Sequence, residues 1–389
     1  MKILHVIPSY YPALNAGGPI TTSYQLNNSL IKKPNIEINV LTTDAGGPRS
    51  KPINILDLKP NFYLYPVIME KSCTYIRGNI SFGLLKKLSK LIIWSDIIHL
   101  NATFSFSTIP TLYYCRKWNK PLIWTLHGAI LDDTQRDVFD PQPFYIKFLK
   151  SIWIKICNEF IDPKNMVIHV TSEQELNATK NKFSKATFIL IPHGVELPNL
   201  DNQNKKWKLN NSLHILYIGR LAPVKGIENL LRAVKLINIP MNLYIYGSGN
   251  IDYENKLKKL TKELNLMDKV LFMGVVDGKE KEKAFLEADI CIVPSYSENF
   301  GMVVIEALSY SIPVIVSRSL SWQDIEKVGC GFSVENDPLN LAKAIEIAYQ
   351  SPLEEMGKKG RVWVENNYSW ESIADIYINV MTELINKSK

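Results

Sequence analysis

The stretch Pro294-Ser-Tyr-Ser-Glu298-Asn-Phe-Gly301-Met-Val-Val-Ile-Glu306-Ala-Leu308 sets two carboxylates eight positions apart across a loop and the start of a helix. The short apolar run from Ala288 to Val293 before it predicts a buried strand that delivers the chain to the loop. From Met302 to Leu308 the pattern predicts a helix. The first-turn amides of such a helix lack intrahelical partners and its end carries roughly half a positive charge, so the junction at Gly301 is a seat for a phosphate group. Glu298 precedes that seat, and Glu306 lies roughly 7–8 Å further along the helix axis. Spacing of this kind also arises by chance on solvated helices. Here Glu306 stands in the run Met302-Val-Val-Ile-Glu-Ala-Leu, where a carboxylate is seldom buried without a partner. Two carboxylates flanking a phosphate can each accept hydrogen bonds from a vicinal diol, and a diphosphate with a sugar at either end has that shape.

Working outward, Leu213-His-Ile-Leu-Tyr-Ile-Gly219-Arg220-Leu-Ala-Pro-Val-Lys225-Gly226 predicts a strand, a basic loop and the helix Ile227–Leu236. Arg220 and Lys225 at the carboxyl end of a strand form an anion grip, although surface cations often merely cap strands. Leu243-Tyr-Ile-Tyr246-Gly247-Ser-Gly249 is a further strand running into a glycine turn; without a third glycine it is not a dinucleotide fingerprint. In the first half, strand-like runs at Ile3–Ile7, Glu37–Leu41, Ile97–Leu100, Leu122–Leu126, Val167–Val170 and Phe188–Ile191 alternate with helical stretches. That alternation predicts an α/β protein with parallel sheets covered on both faces. Ligands of such sheets bind beyond the carboxyl ends of the strands, which singles out the Gly17-Gly18 loop, His127-Gly128, and Thr171-Ser-Glu173-Gln-Glu175 with its capping-box pattern.

The Glu298-to-Glu306 segment is similar to the Glu-x7-Glu signature of the family 4 retaining glycosyltransferases, also called group 1, with Asn299 where glycine is commoner. Gly219 to Gly226 resembles that family's donor-diphosphate grip, Val270-Leu-Phe-Met-Gly274-Val275 its nucleotide-base segment, and Ile191-Pro-His193-Gly194-Val-Glu196, more loosely, its Pro-Asn-Gly-Val-Asp. Tyr368-Ser-Trp370 and the amphipathic tail resemble the terminal helix that crosses back onto the first domain. The resemblance covers nearly the whole chain and is weakest over residues 45–95, and residues 97–133 resemble the subgroup that builds bacterial surface polysaccharides. It implies the GT-B fold, with two Rossmann-like domains facing across a cleft. Residues 1–200 plus the helix 370–389 would take the acceptor, and residues 201–369 a UDP- or GDP-sugar donor. It implies catalytic roles for His127, Arg220, Lys225 and Glu298, with His127 meeting the donor sugar near the reacting carbon. Donor contacts are implied at Gly17, Gly18, Gly219, Gly247, Gly274 and Val275, and again at Asn299, Phe300, Gly301, Met302 and Glu306. The resemblance also implies that no cofactor or metal is required and that transfer is retaining.

Length and charge bound this reading. At 389 residues two domains are expected, and 46% hydrophobic with 21% charged residues describes a folded globular chain. No membrane span is expected: the most apolar window, Leu84–Leu100, is broken by lysines, Ser95 and Asp96. Five scattered cysteines, Cys73, Cys115, Cys157, Cys291 and Cys330, give neither a disulfide framework nor zinc spacing, which with no signal peptide points to the cytosol. Residues 1–200 carry 22 Lys and Arg against 14 Asp and Glu, whereas residues 201–389 carry 23 against 24. The basic excess is interleaved with aromatics in Leu84–Trp94 and Phe144–Lys155, which favours an anionic membrane surface and a lipid-linked saccharide acceptor over nucleic acid. For each segment singly, an ordinary core helix with a lysine rim is the plainer reading. The chain has no P-loop, Asp-x-Asp, nucleophile elbow or His-Glu-x-x-His motif. A sugar-nucleotide epimerase and an inactive membrane scaffold are the alternatives; the first needs no acceptor and the second no intact Arg220, Lys225, Glu298 and Glu306.

Overall fold

The computed structural model describes residues 1–13, 18–46, 52–53, 63–72, 80–130, 143–200, 207–208 and 211–388. Gly17, Cys73 and much of the Asn-rich stretch 197–212 therefore lie outside the described residues. In chain order the first unit runs β1 (Lys2–Ser9), α1 (Gly18–Leu30), β2 (Glu37–Thr43), β3 (Val67–Glu70), α2 (Phe82–Trp94), β4 (Ile97–Asn101) and α3 (Thr108–Lys117). It continues through β5 (Leu122–Thr125), α4 (Phe144–Phe160), β6 (Met166–Val170), α5 (Glu173–Lys180) and β7 (Thr187–Leu190). The seven strands form one sheet in the order β3-β2-β1-β4-β5-β6-β7, every pairing parallel. Strands β4, β5 and β6 are buried along their whole length, as expected for a parallel sheet covered on both faces.

The second unit repeats the scheme: β8 (Leu213–Ile218), α6 (Ile227–Leu236), β9 (Met241–Tyr246), α7 (Ile251–Glu263), β10 (Val270–Gly274), α8 (Gly278–Glu287) and β11 (Ile290–Val293). Then come α9 (Met302–Ser309), β12 (Val314–Ser317), α10 (Asp324–Val328), β13 (Gly331–Val334), α11 (Pro338–Gln350) and α12 (Leu353–Tyr368). Its sheet has the order β10-β9-β8-β11-β12-β13, again all parallel. In α6 the buried residues Ile227, Leu230, Leu231 and Val234 recur at helical spacing, so one apolar face covers the sheet while Arg232 and Lys235 face water.

The final helix, α13 (Trp370–Ser388), belongs to the first unit, where Trp370, Ile373, Tyr377 and Met381 join the core that holds Ile3, Ile7 and Ile20. The two units divide after Gly194 and after Ser369. Composition places the border in the polar stretch 197–212, but the chain has already entered the second unit at Val195. That residue is buried with the second unit's core, and its amide donates to Tyr368 O at 2.8 Å.

In both sheets the strand order turns at one central pair, β1 beside β4 and β8 beside β11. At such a switch point the connections leave toward opposite faces, and a crevice opens beyond the carboxyl ends of the two strands. Ser9 and Asn101 end the first pair; Ile218 and Val293 end the second.

Candidate active site

At the second switch point the loop after β8 and the loop after β11 are tied together. The amide of Tyr296 donates to Val224 O at 2.9 Å, and Gly226 sits directly against Pro294. Gly226 has φ +65°, and a Cβ there would lie 2.0 Å from Pro294 O, so a glycine is required for this approach. The contact brings Lys225 Nζ to 2.5 Å from Glu298 Oε1, both side chains 18% exposed, and Ser295 Oγ donates to the same carboxylate oxygen at 2.8 Å. Lys225 and Glu298, read separately in the sequence as phosphate grip and sugar contact, are thus one ion pair. An ammonium has three N–H donors, so Lys225 can hold Glu298 and still offer N–H groups to an anion. Arg220 is exposed and makes no salt bridge among the described residues; its carbonyl accepts the Tyr217 hydroxyl at 3.0 Å. Burial, with the Glu298 charge adding to it, pushes that hydroxyl far above the usual phenol range, so it stays a donor.

Helix α9 begins at Gly301 with φ +84°, a left-handed cap that carries no side-chain hydrogen bond. Its amino end is therefore uncapped by any side chain, as an anion seat requires. Val304, Ile305, Ala307 and Leu308 bury the helix in the core, while Glu306 reaches Lys281 of α8 at 2.7 Å. Lys281 is the partner that a carboxylate in an apolar run demands, and nothing in the local pattern points to it. Phe300 turns inward: its ring packs edge-to-face on Trp322, and its carbonyl accepts Trp322 Nε1–H at 2.6 Å. Any role of Phe300 toward a ligand thus lies with its backbone. Asn299 and Met302 are half-buried beside it.

The ends of β8, β9 and β10 are rimmed by Gly219, Gly247 and Gly274, with Gly219 N donating to Tyr246 O at 3.0 Å and Gly247 N to Gly274 O at 2.7 Å. The three glycines put no side chain at these strand ends, and Val275 just after the last of them is exposed. Gly18 opens α1 in the first unit, and among the described residues no atom lies within 4 Å of the position of its missing Cβ.

His127 ends the strand run of β5 in the left-handed region, at φ +52°, followed by Gly128 at +69°. The turn is held by Glu175 on α5, whose carboxylate accepts Gly128 N–H through one oxygen and, through the other, Thr171 N–H at 2.8 Å and Thr171 O–H at 2.9 Å. Ser172 caps the same helix, its Oγ accepting from Glu175 N at 3.1 Å. Burial raises the Glu175 carboxyl above its ordinary value and these donors pull it back. On its other side His127 Nε2 lies 2.7 Å from Asn101 Oδ1 at the end of β4, and its ring stacks at 5.7 Å on His193.

The family profile described as glycosyl transferases group 1 matches residues 200–370. The chain is 32% identical to an uncharacterized glycosyltransferase of Methanocaldococcus jannaschii over 170 residues, 43% of this chain and 44% of that protein, so it spans less than half of this relative. It is 24% identical to the O-antigen chain mannosyltransferase C of Escherichia coli across 99% of both chains. Residues 200–370 carry a group 1 glycosyltransferase domain. Among solved structures, HepE of Anabaena in complex with UDP superimposes with a TM-score of 0.72 at 15% identity, over 98% of this chain and all of HepE, which establishes the GT-B fold.

Sequence reasoning singles out Arg220, Lys225, Glu298 and Glu306 but not the side chains that hold the two carboxylates from outside this set. Ser295 lies inside the quoted stretch and could have been named as a donor to Glu298, one turn of chain away. Lys281, Trp322 and Asn101 belong to other elements, and no spacing rule connects them to the residues they hold.

Proposed function

We propose that this transferase moves a sugar from a UDP- or GDP-linked donor to a lipid-linked or oligosaccharide acceptor in cell-surface polysaccharide synthesis, with retention and without an essential metal. The observation that carries the reading is the grouping of Arg220, the Lys225–Glu298 pair and the open end of α9 at one switch point. As the glycosidic bond to the donor breaks, negative charge grows on the diphosphate. Two cations and a helix amino end at that spot are preorganised to meet it. Glu306 accepts the ribose hydroxyls, Glu298 and His127 contact the donor sugar, and the first unit receives the acceptor. Relatives named for O-antigen synthesis and for a complex with UDP support the class of product and of donor.

Helix α4 supports a membrane face on the first unit. Phe144 is 83% exposed, and Phe148, Leu149, Ile152 and Ile156 are exposed with it, among Lys147, Lys150 and Lys155. By contrast α2 buries Leu84, Leu88 and Ile92 and keeps its lysines at the rim, so there the plainer core reading holds. Among the described residues no helix is long and apolar enough to cross a membrane. The assay is consumption of a panel of sugar nucleotides with and without lipid-linked saccharide, repeated in EDTA. Acceptor-dependent consumption that survives EDTA is expected; consumption without acceptor would make the protein an epimerase, and none at all would leave a scaffold. Calorimetry with free nucleoside diphosphate separates the carboxylates: Glu306→Ala weakens binding and Glu298→Ala leaves it nearly intact, whereas equal losses would overturn these two roles.

A further inference from the structure

The first unit contains a directional chain of hydrogen bonds that ends on His127. Tyr65 and Tyr10 hydroxyls lie 2.6 Å apart, and Asn27 Nδ2 donates to the Tyr10 hydroxyl at 2.9 Å. Asn27 Oδ1 is 3.1 Å from His5 Nδ1, His5 Nε2 is 2.6 Å from Asn101 Nδ2, and Asn101 Oδ1 is 2.7 Å from His127 Nε2. Each amide has one accepting and one donating end, so the protons are fixed in sequence. Asn101 donates to His5 Nε2, His5 Nδ1–H donates to Asn27, and Asn101 Oδ1 accepts the Nε2–H of His127. His127 Nδ1 is then left as a lone-pair acceptor, and it is enclosed with no hydrogen-bond partner among the described residues. Running the chain the other way would put an N–H at that enclosed position, and an orphaned N–H is the rarer outcome in folded proteins.

We infer that Asn101 is a positioning residue of the transfer reaction: it locks His127 in the Nε2–H tautomer and so presents Nδ1 as an acceptor for a hydroxyl of the donor sugar. The inference rests on the proposed contact between His127 and the donor sugar. Asn101 ends β4 at the first switch point, where a ligand of this unit is expected, and Glu175 fixes the backbone of the same turn from the other side. The tautomer of a histidine is set by the bond its other nitrogen makes, and a ring presenting N–H instead of a lone pair would meet a hydroxyl only through that hydroxyl's oxygen.

Ring-nitrogen NMR on the full chain tests the claim directly, with His127 assigned by His127→Gln. The wild type is expected to show His127 protonated at Nε2, and Asn101→Ala to show a mixture or the Nδ1–H form. Asn101→Ala lowers kcat/KM for the sugar nucleotide roughly 10- to 100-fold, mostly through kcat, with free nucleoside diphosphate binding unchanged. Asn101→Asp keeps the acceptor toward Nε2 and restores that tautomer and most of the rate; its carboxylate favours imidazolium, so a new acidic limb enters the pH profile. An Nδ1–H tautomer in the wild type, or an Asn101→Ala variant with unchanged tautomer and rate, overturns the inference. A wild type that consumes no sugar nucleotide defeats the functional reading instead, and the tautomer measurement still decides the role of Asn101.

Discussion

Lys225 and Glu298 are each other's closest charged neighbours, and both are mostly shielded from water. Removing Lys225 therefore does two separable things. On the proposed mechanism it takes a cation from the place where negative charge develops, a loss of about 2.7–4 kcal/mol in turnover for a comparable stabilising donor. It also leaves a shielded carboxylate with Ser295 as its one remaining donor among the described residues, which costs about 1–3 kcal/mol of stability. Lys225→Ala should accordingly lose roughly 100- to 1000-fold in kcat/KM and also melt earlier. Adding Glu298→Gln should recover most of the melting temperature and none of the rate. Normal turnover by Lys225→Ala, or activity regained by the double variant, would remove Lys225 from the reaction. Arg220 has no such partner among the described residues, so Arg220→Ala should lose rate at nearly constant melting temperature.

At the scale of elements, the two basic helices of the first unit part company. Helix α2 spends Leu84, Leu88 and Ile92 on the core, whereas in α4 Cys157 alone is fully buried, Trp153, Ile154 and Phe160 rest partly on the core, and Phe144, Tyr145, Phe148, Leu149, Ile152 and Ile156 stand in solvent. An amphipathic basic helix with its apolar face outward is suited to the boundary of an anionic bilayer. Each lysine near such a surface contributes about 1 kcal/mol, and the attraction fades within a Debye length of roughly 8 Å at physiological salt. In vesicle sedimentation the protein should pellet with anionic liposomes at low salt and be released at high salt. The double variant Phe144→Ser/Phe148→Ser should bind several-fold more weakly while melting normally, because neither ring is buried. Equal recovery with anionic and neutral vesicles would reduce the α4 face to a solvated surface.

On the scale of the whole molecule, five of the six histidines lie in the first unit, His5, His99, His169 and His193 buried and His127 partly so. Burial lowers all five, His5 and His169 to about 4, His193 to about 3, and His99 and His127 well below the ordinary range. An unfolded histidine takes up a proton near pH 6.5, so between that pH and about 4 the unfolded chain binds more protons than the folded one. Stability is therefore fully present above pH 6.5 and falls as the pH drops, by about 1.4 kcal/mol per pH unit for each fully responding histidine. Glu175, raised by burial, works in the opposite direction but as a single group. Calorimetry from pH 7 to pH 5, a range in which ordinary carboxylates stay charged, should show the unfolding transition of the first unit moving down in temperature. A transition that stays level through that range would mean these rings can be protonated in place.

The alternation of strands and helices up to β11, the helix Ile227–Leu236 and the loop-to-helix junction at Gly301 were legible in the sequence, because each rests on local periodicity and on turn chemistry that acts within a few residues. So were the charged residues of the site, since cations and carboxylates beside glycine turns announce anion and diol chemistry wherever they fall. Strands β12 and β13 were not read, each being only four residues long, and edge strand β3 was missed because Val67–Glu70 is short and only half-buried, which leaves too weak an alternation to read. What the tertiary structure alone decided is which strands become neighbours, and with that which side chains meet. The pairing of β8 with β11 makes Lys225 and Glu298 one ion pair, and the pairing of β1 with β4 joins His5 to Asn101 and through it to His127. Such contacts span tens of residues in sequence and depend on sheet order, a collective result of burying every apolar face at once, so no single stretch of the chain encodes them.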